Sequence, residues 1–147
     1  MKCTTLALIF AAFFTCLAGS ATDSPKRRIP CKTPANASSC YWTHGRLSFY
    51  NRNPAFRLWK IGTNRVFGVF SGPSSYHGPR ADTTPLLDNE NPEFPSNVVQ
   101  TFRTHQKFGM PNRIFADFEV CPPEAEEPGT MQAACIESAK NISVEKD

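Results

Sequence analysis

Hydrophobic and polar residues alternate with a period of two between residues 44 and 70. Two clusters rich in Asn, Gly and Pro, at residues 51–54 and 62–64, interrupt the alternation. Side chains of a strand point alternately to its two faces, and such clusters are typical of turns. The pattern therefore predicts a three-stranded meander over residues 44–50, 55–61 and 65–70.

The middle strand of this meander is predicted to have one basic and aromatic face. Arg57, Trp59 and Ile61 alternate onto that face, while Phe56, Leu58 and Lys60 alternate onto the other. Because Arg57 and Trp59 share a face, they are expected to form cation–π contacts across neighbouring strands.

The rest of the chain adds one helix and two further strands. Residues 71–95 hold five prolines and predict a long loop. After Pro95, the spacing of Val98, Val99 and Phe102 predicts a short helix, capped by Ser96 or Asn97. Residues 113–121 predict a strand, and the segment after residue 129 suits a helix or a strand beside it; we favour the strand. The fold class is mainly β: a small single-domain β-sandwich or partly open β-barrel with one short helix.

The first 21 residues have the form of a secretory signal peptide. Lys2 precedes twelve apolar residues, 6–17, and small residues follow before a cleavage site after Ala21. The apolar run is shorter than the roughly 20 residues that span a bilayer. We expect a secreted or periplasmic chain, with an N-terminal arm at residues 22–40, a β-rich domain at residues 41–147, and no membrane association after cleavage.

Four cysteines remain after the predicted cleavage, namely Cys31, Cys40, Cys121 and Cys135. An even number in an exported chain predicts two disulfides, and three connectivities are possible. We favour the local pairs, Cys31 with Cys40 and Cys121 with Cys135. Since the chain has no Cys-x-x-Cys pair, no zinc site is expected.

Charge is unevenly distributed along the chain. Residues 24–81 contain ten basic residues and no acid, whereas residues 114–147 contain eight acids against Lys140 and Lys146. Such asymmetry can indicate a polyanionic partner. It can equally indicate that the two halves pair side by side in one sheet and neutralise each other, which is the interpretation we favour.

The sequence contains no recognised catalytic motif. The histidines, His44, His77 and His105, are scattered, and two of them with a lysine could serve a small secreted hydrolase. Asp117 stands in an otherwise apolar strand, so we expect it to pair with Arg57 or Arg65; a buried acid with a raised pKa is the alternative. We assign no catalytic residue, metal ligand or cofactor.

The candidate binding residues come from the basic and aromatic stretch at residues 46–65. They are Arg46, Arg57, Trp59, Lys60 and Arg65. Non-catalytic binding of an extracellular protein or glycan is the leading function, and anionic-polymer binding by this stretch is the alternative. A nucleic acid partner is disfavoured, because the Gly-Phe-x-Phe motif of RNA-binding sheets is absent.

The motifs GRLSFYN, FRLWKIGT, RIFADFEVCP and PGTMQAACIESAKNI resemble those of uncharacterised small exported proteins of bacteria. The resemblance covers roughly residues 31–143 and implies an exported fold, without implying functional residues. The stretch GRLSFYNRNPAFRLWKIG is also similar to the opening strands of transthyretin-like and carboxypeptidase-regulatory-like sandwiches.

Overall fold

A computed structural model describes residues 27–73, 91–107 and 109–145. The predicted signal peptide and most of the predicted loop at residues 71–95 lie outside the described residues. The mainly β fold with one short helix and two disulfides is confirmed, and of the two predicted architectures the barrel is the one that forms.

The helix and the long strands lie close to the predicted segments. The segment after residue 129 forms a strand, as favoured from the sequence. The helix begins after Pro95, without a side-chain cap, so the predicted capping by Ser96 or Asn97 is wrong. The elements are β1 Tyr41–Phe49, β2 Phe56–Lys60, β3 Val66–Val69, α1 Ser96–Thr104, β4 Gln106–Lys107, β5 Met110–Pro111, β6 Ile114–Cys121 and β7 Gln132–Val144, with a 3-10 turn at Ala37–Ser39.

Five strands form a closed barrel in the order β1, β2, β3, β7, β6, and β6 returns to β1. All neighbours are antiparallel except β3 and β7, which are parallel. The strands β1, β2 and β3 form a meander, and β6 crosses back to lie beside β1, which makes a Greek key. Strands β4 and β5 form a separate two-stranded sheet.

Apolar residues at alternate positions of each strand fill the barrel. Leu47, Leu58, Phe67 and Phe118 are fully buried there. The helix α1 adds Phe102 and Val98 to the same core, with Phe102 packed 5.6 Å from the Phe56 ring centroid. The opposite positions of β1, β2 and β6 therefore face outward.

The disulfides join Cys31 to Cys135 and Cys40 to Cys121, so the predicted local pairs are wrong. Strand pairing explains the difference. Cys121, at the end of β6, lies opposite Cys135 of the neighbouring strand β7. On the other side of β6, Tyr41 at the start of β1 lies opposite Val120, so Cys40 comes to lie beside Cys121. Both bonds thus tie the N-terminal arm to the barrel. Two disulfides indicate a non-reducing compartment.

The arm is also held by polar contacts. The Arg27 guanidinium donates to the carbonyl oxygens of Ile136, Ser71 and Glu93 at 2.6–2.7 Å. The Glu93 carboxylate accepts from the Arg28 and Ile29 amides and from Arg28 Nε. Burial acts to raise the pKa of Glu93, but these hydrogen bonds outweigh it and the pKa is lowered.

Within the described residues, every helix falls short of the length and hydrophobicity needed to span a bilayer.

Candidate functional site

The outer face of β1 and β2 brings together three of the five predicted site residues, Arg46, Arg57 and Trp59. Arg46 lies opposite Trp59, and Arg57 lies opposite Ser48. Tyr50 follows two residues after Ser48 and is 39% exposed. We call these five residues, Arg46, Ser48, Tyr50, Arg57 and Trp59, the arginine face.

Each arginine of this face lies against an aromatic ring. Arg46 Cζ is 4.9 Å from the Trp59 ring centroid, and Arg57 Cζ is 4.8 Å from that of Tyr50. The predicted sharing of a face by Arg57 and Trp59 is therefore correct, although Arg46 supplies the cation over Trp59. The indole Nε1 of Trp59 donates to the Thr63 carbonyl at 2.7 Å, which fixes the orientation of the ring.

Three covered polar atoms of the arginine face have no hydrogen-bond partner among the described residues: Arg46 Nε, Ser48 Oγ and Arg57 Nε. Neither arginine forms an ion pair with any acid of the described residues. Leaving a buried donor unsatisfied costs roughly 1–3 kcal/mol, more when it is charged. Because these three atoms are themselves covered, a ligand on this face would meet other atoms of the two half-buried arginines.

The remaining two predicted site residues, Lys60 and Arg65, do not lie on this face. Alternation turns Lys60 away from Trp59, and its Nζ is 5.6 Å from the Tyr41 ring centroid. Arg65 pairs with Glu126 and donates to Gln132 Oε1 at 3.0 Å. Arg65 therefore already has its polar partners.

Arg65 and Glu126 line a cavity of about 370 Å³ between β3 and the loop that precedes β7. Tyr41 lies near this end of the barrel. Burial raises the pKa of Tyr41, the nearby Arg65 opposes this, and Glu126 adds to the increase. Since Arg65 and Glu126 neutralise each other, this cavity offers no unpaired charge of theirs to a ligand.

Basic residues of the N-terminal half pair with acids of the C-terminal half, but not as the predicted cross-strand pairs. Lys32 of the N-terminal arm contacts Glu119 of β6, and Arg65, just before β3, contacts Glu126 in the loop that precedes β7. Arg46 and Arg57 are exceptions. The predicted neutralisation across the sheet therefore excludes the two arginines that share the outer face.

Asp117 does not pair with Arg57 or Arg65, so that prediction is wrong. Strand pairing places it opposite His44 on β1 and Lys140 on β7. Its Oδ1 lies 3.0 Å from His44 Nδ1, and its Oδ2 accepts from Asn141 Nδ2 at 2.7 Å. The hydrogen bond from Asn141, followed by that from His44, lowers the pKa of Asp117, so the alternative of a raised pKa is also wrong.

A β-bulge places the Asn141 amide beside Asp117. The register pairs Asp117 with Lys140 and Phe115 with Ser143, so two residues of β7 lie opposite one of β6. Asn141 has φ of 55° there, and Ile142 packs on the core. Asparagine tolerates this left-handed conformation better than most residues.

Sequence reasoning did not select Ser48, Tyr50 or Asn141. The period-two alternation from Arg46 would have found Ser48 and Tyr50. Nothing in the sequence pattern marks the bulge at Asn141. Of the other predicted candidates, His105 follows the end of α1, and His77 lies outside the described residues.

No family model, curated protein or solved structure matches this chain. The resemblances seen in the sequence motifs therefore remain predictions. The function is inferred from the residues of the outer face.

Proposed function

We propose that this chain is an exported, non-catalytic binding domain whose ligand is an acidic extracellular glycan. The arginine face would bind a carboxylate or sulfate group of that glycan. The observation that carries the proposal is the pair of Arg46 and Arg57, whose buried Nε atoms have no partner and which form no ion pair within the described residues.

The chemistry of this face suits an oxyanion attached to a sugar ring. A guanidinium presents a planar fork of N–H donors that matches a carboxylate. The Ser48 hydroxyl, opposite Arg57, is buried, so we assign the ligand donors to the two guanidinium groups. Trp59, 37% exposed, and Tyr50 supply apolar surface against which a sugar ring can pack.

The charge around the face favours a glycan over a nucleic acid. A single-stranded nucleic acid carries a phosphate at every nucleotide, and its affinity depends on many unpaired cations. Here two adjacent arginines form no ion pair with a described residue, while Asp117 and Glu119 lie on β6 beside the same strand. A glycan, whose negative charges can be fewer or more widely spaced than those of a nucleic acid, fits this distribution of charge better.

The architecture agrees with this proposal by analogy alone. Five-stranded Greek-key barrels of the OB type bind oligosaccharides and oligonucleotides on their strand 2–3 face. Fold does not determine function, so the proposal depends on the arginine face.

The test is calorimetric titration of the disulfide-bonded protein with hyaluronan, with a neutral dextran and with single-stranded DNA. We expect hyaluronan to bind and dextran not to bind. Arg57→Gln and Arg46→Gln should each weaken hyaluronan binding by about tenfold or more, since a charge-assisted hydrogen bond contributes roughly 1.5–3 kcal/mol.

Arg103→Gln is the matched control, because Arg103 lies exposed on α1 and forms no ion pair with a described residue. Hyaluronan binding should survive this substitution. Equal losses in all three variants would indicate unspecific charge attraction and contradict the proposal. Tighter binding of DNA than of hyaluronan would replace it with the nucleic acid function.

A further inference from the structure

We infer that the outer face carries a second subsite, which takes an uncharged sugar ring of the same glycan. It consists of Trp42, His44 and Lys140, and we call it the Trp42 subsite. The inference rests on the proposed function and names the ligand class more closely: a glycan in which acidic and uncharged rings alternate.

The two subsites lie along one strand. Trp42, His44, Arg46, Ser48 and Tyr50 occupy alternate outward positions of β1 and its C-terminal end. At about 3.3 Å per residue, Trp42 lies roughly 13 Å from Arg46 along the strand. One sugar ring cannot reach across this separation, whereas an extended oligosaccharide can contact both subsites.

A chain of hydrogen bonds fixes the orientation of His44. Asn141 holds Asp117, whose lowered pKa keeps it an ionised carboxylate that can only accept. The imidazole therefore donates from Nδ1 to Asp117, which leaves Nε2 to form a hydrogen bond with a ligand hydroxyl, a group that can donate or accept. The His44 side chain is 55% exposed, so it is open to such a hydroxyl.

The bulge at Asn141 supports a role beyond packing. A non-glycine residue with positive φ carries a conformational cost, and strained residues and bulges concentrate at functional sites, where they direct a side chain. Here the bulge keeps Ile142 on the core and brings the Asn141 amide to Asp117. Through Asp117, the strained bulge therefore orients the exposed imidazole of His44, which takes no part in the packing of the barrel core.

Trp42 supplies the apolar part of the subsite. Its side chain is 46% exposed, and Lys140 Nζ lies 4.2 Å from the ring centroid. The ring offers a packing surface, Lys140 offers donors, and His44 offers a hydrogen bond at Nε2. A sugar ring combines an apolar face with hydroxyl groups, so it matches this set.

The charge of the subsite explains why the ring should be uncharged. Trp42 lies opposite Glu119, which is paired with Lys32 and 13% exposed, and His44 lies opposite Asp117. Lys140 faces Asp117 across the strand pair. The acids here offset the lysines, in contrast to the arginine face, where no acid of the described residues pairs with the two guanidinium groups.

The two tryptophans of the chain make a direct test possible, because one lies in each subsite. In a ¹⁵N-labelled sample, their two indole N–H signals report the subsites separately. The probes are a hyaluronan oligosaccharide, in which carboxylate-bearing and uncharged rings alternate, and an oligogalacturonate, in which every ring bears a carboxylate. Trp42→Phe and Trp59→Phe assign the signals.

We expect hyaluronan to shift both indole signals and oligogalacturonate to shift that of Trp59 alone. Trp42→Ala and His44→Ala should weaken hyaluronan binding by roughly five- to tenfold and leave oligogalacturonate binding unchanged, which is the range of one aromatic or hydrogen-bonded contact. Retained dispersion of the remaining signals confirms that the variants are folded.

The outcomes separate this inference from the proposed function. If hyaluronan shifts Trp59 alone, or if Trp42→Ala weakens both probes equally, the second subsite is wrong and acidic-glycan binding stands. If the two probes shift the two signals in the same way, the subsite does not distinguish charge and the inference is again wrong. If neither signal moves with either probe, both proposals fail.

Discussion

Replacement of Arg57 by methionine is expected to make the free protein more stable, or at least no less stable, while it weakens anion binding. Methionine keeps an unbranched apolar stem against Tyr50, so most of the packing survives. What is lost is the guanidinium, which forms no ion pair with a described acid.

The magnitude follows from two opposing contributions. The substitution removes a buried Nε that has no partner, which relieves about 1–3 kcal/mol. It also removes a cation–π contact with Tyr50, which at a partly exposed site contributes about 0.5–1 kcal/mol. The free energy of unfolding should therefore rise by about 0–2 kcal/mol.

Urea denaturation monitored by tryptophan fluorescence measures this change. The transition midpoint should stay or move upward, with an unchanged m-value. Arg113→Met is the matched control, since Arg113 is exposed and pairs with Glu145 at 3.1 Å; it should lose about 0–1 kcal/mol. A loss of more than about 2 kcal/mol in Arg57→Met would mean that the guanidinium stabilises the fold, and the ligand argument from its unpaired state would fail.

Three further outcomes concern the arm that the disulfides and polar contacts hold. The double variant Cys31→Ser/Cys135→Ser removes the disulfide that closes a loop over 104 residues, so the free energy of unfolding should fall by about 4.7 kcal/mol. In the unsubstituted protein, peptide mapping without reduction should find Cys31 linked to Cys135. Folding lowers the pKa of Glu93, so the stability that its carboxylate contributes is present above the unfolded pKa and is lost as the pH falls through the folded pKa. Glu93→Gln should therefore reduce the free energy of unfolding at pH 7, and that free energy should fall less steeply with decreasing pH than in the unsubstituted protein. Gly72→Ala should cost about 1–3 kcal/mol, because the new Cβ would lie too close to the Pro30 carbonyl oxygen, and unchanged thermal stability would contradict this.

Local patterns of the sequence predicted the strands well. Apolar residues alternate with polar ones around Leu47 and Leu58 because one face of each strand is buried in the core. A buried face also fixes the register of the strand. The same pattern placed Arg57 and Trp59 on one face. It also placed Lys60 on the opposite face, and the structure accordingly separates Lys60 from the arginine face.

Contacts between distant segments could not be read from the same patterns. The disulfide partners of Cys31 and Cys40 depend on β6 lying between β1 and β7. The partner of Asp117 depends on the pairing of β6 with β1, and spacing along the chain carries no information about either. Likewise, the bulge at Asn141 belongs to the pairing of β7 with β6, which no local propensity specifies.

The most direct measurement of the central claim observes the Nε–H groups of Arg46 and Arg57 during titration with the hyaluronan oligosaccharide. Both Nε atoms are covered and have no partner among the described residues, so their signals report on the guanidinium groups to which they belong. If these guanidinium groups bind the carboxylate, the ¹H–¹⁵N signals of the two Nε–H groups, assigned by Arg46→Lys and Arg57→Lys, should shift with the same saturation curve as the Trp59 indole. If hyaluronan binds while both Nε–H signals stay in place, the arginine face is not the binding site.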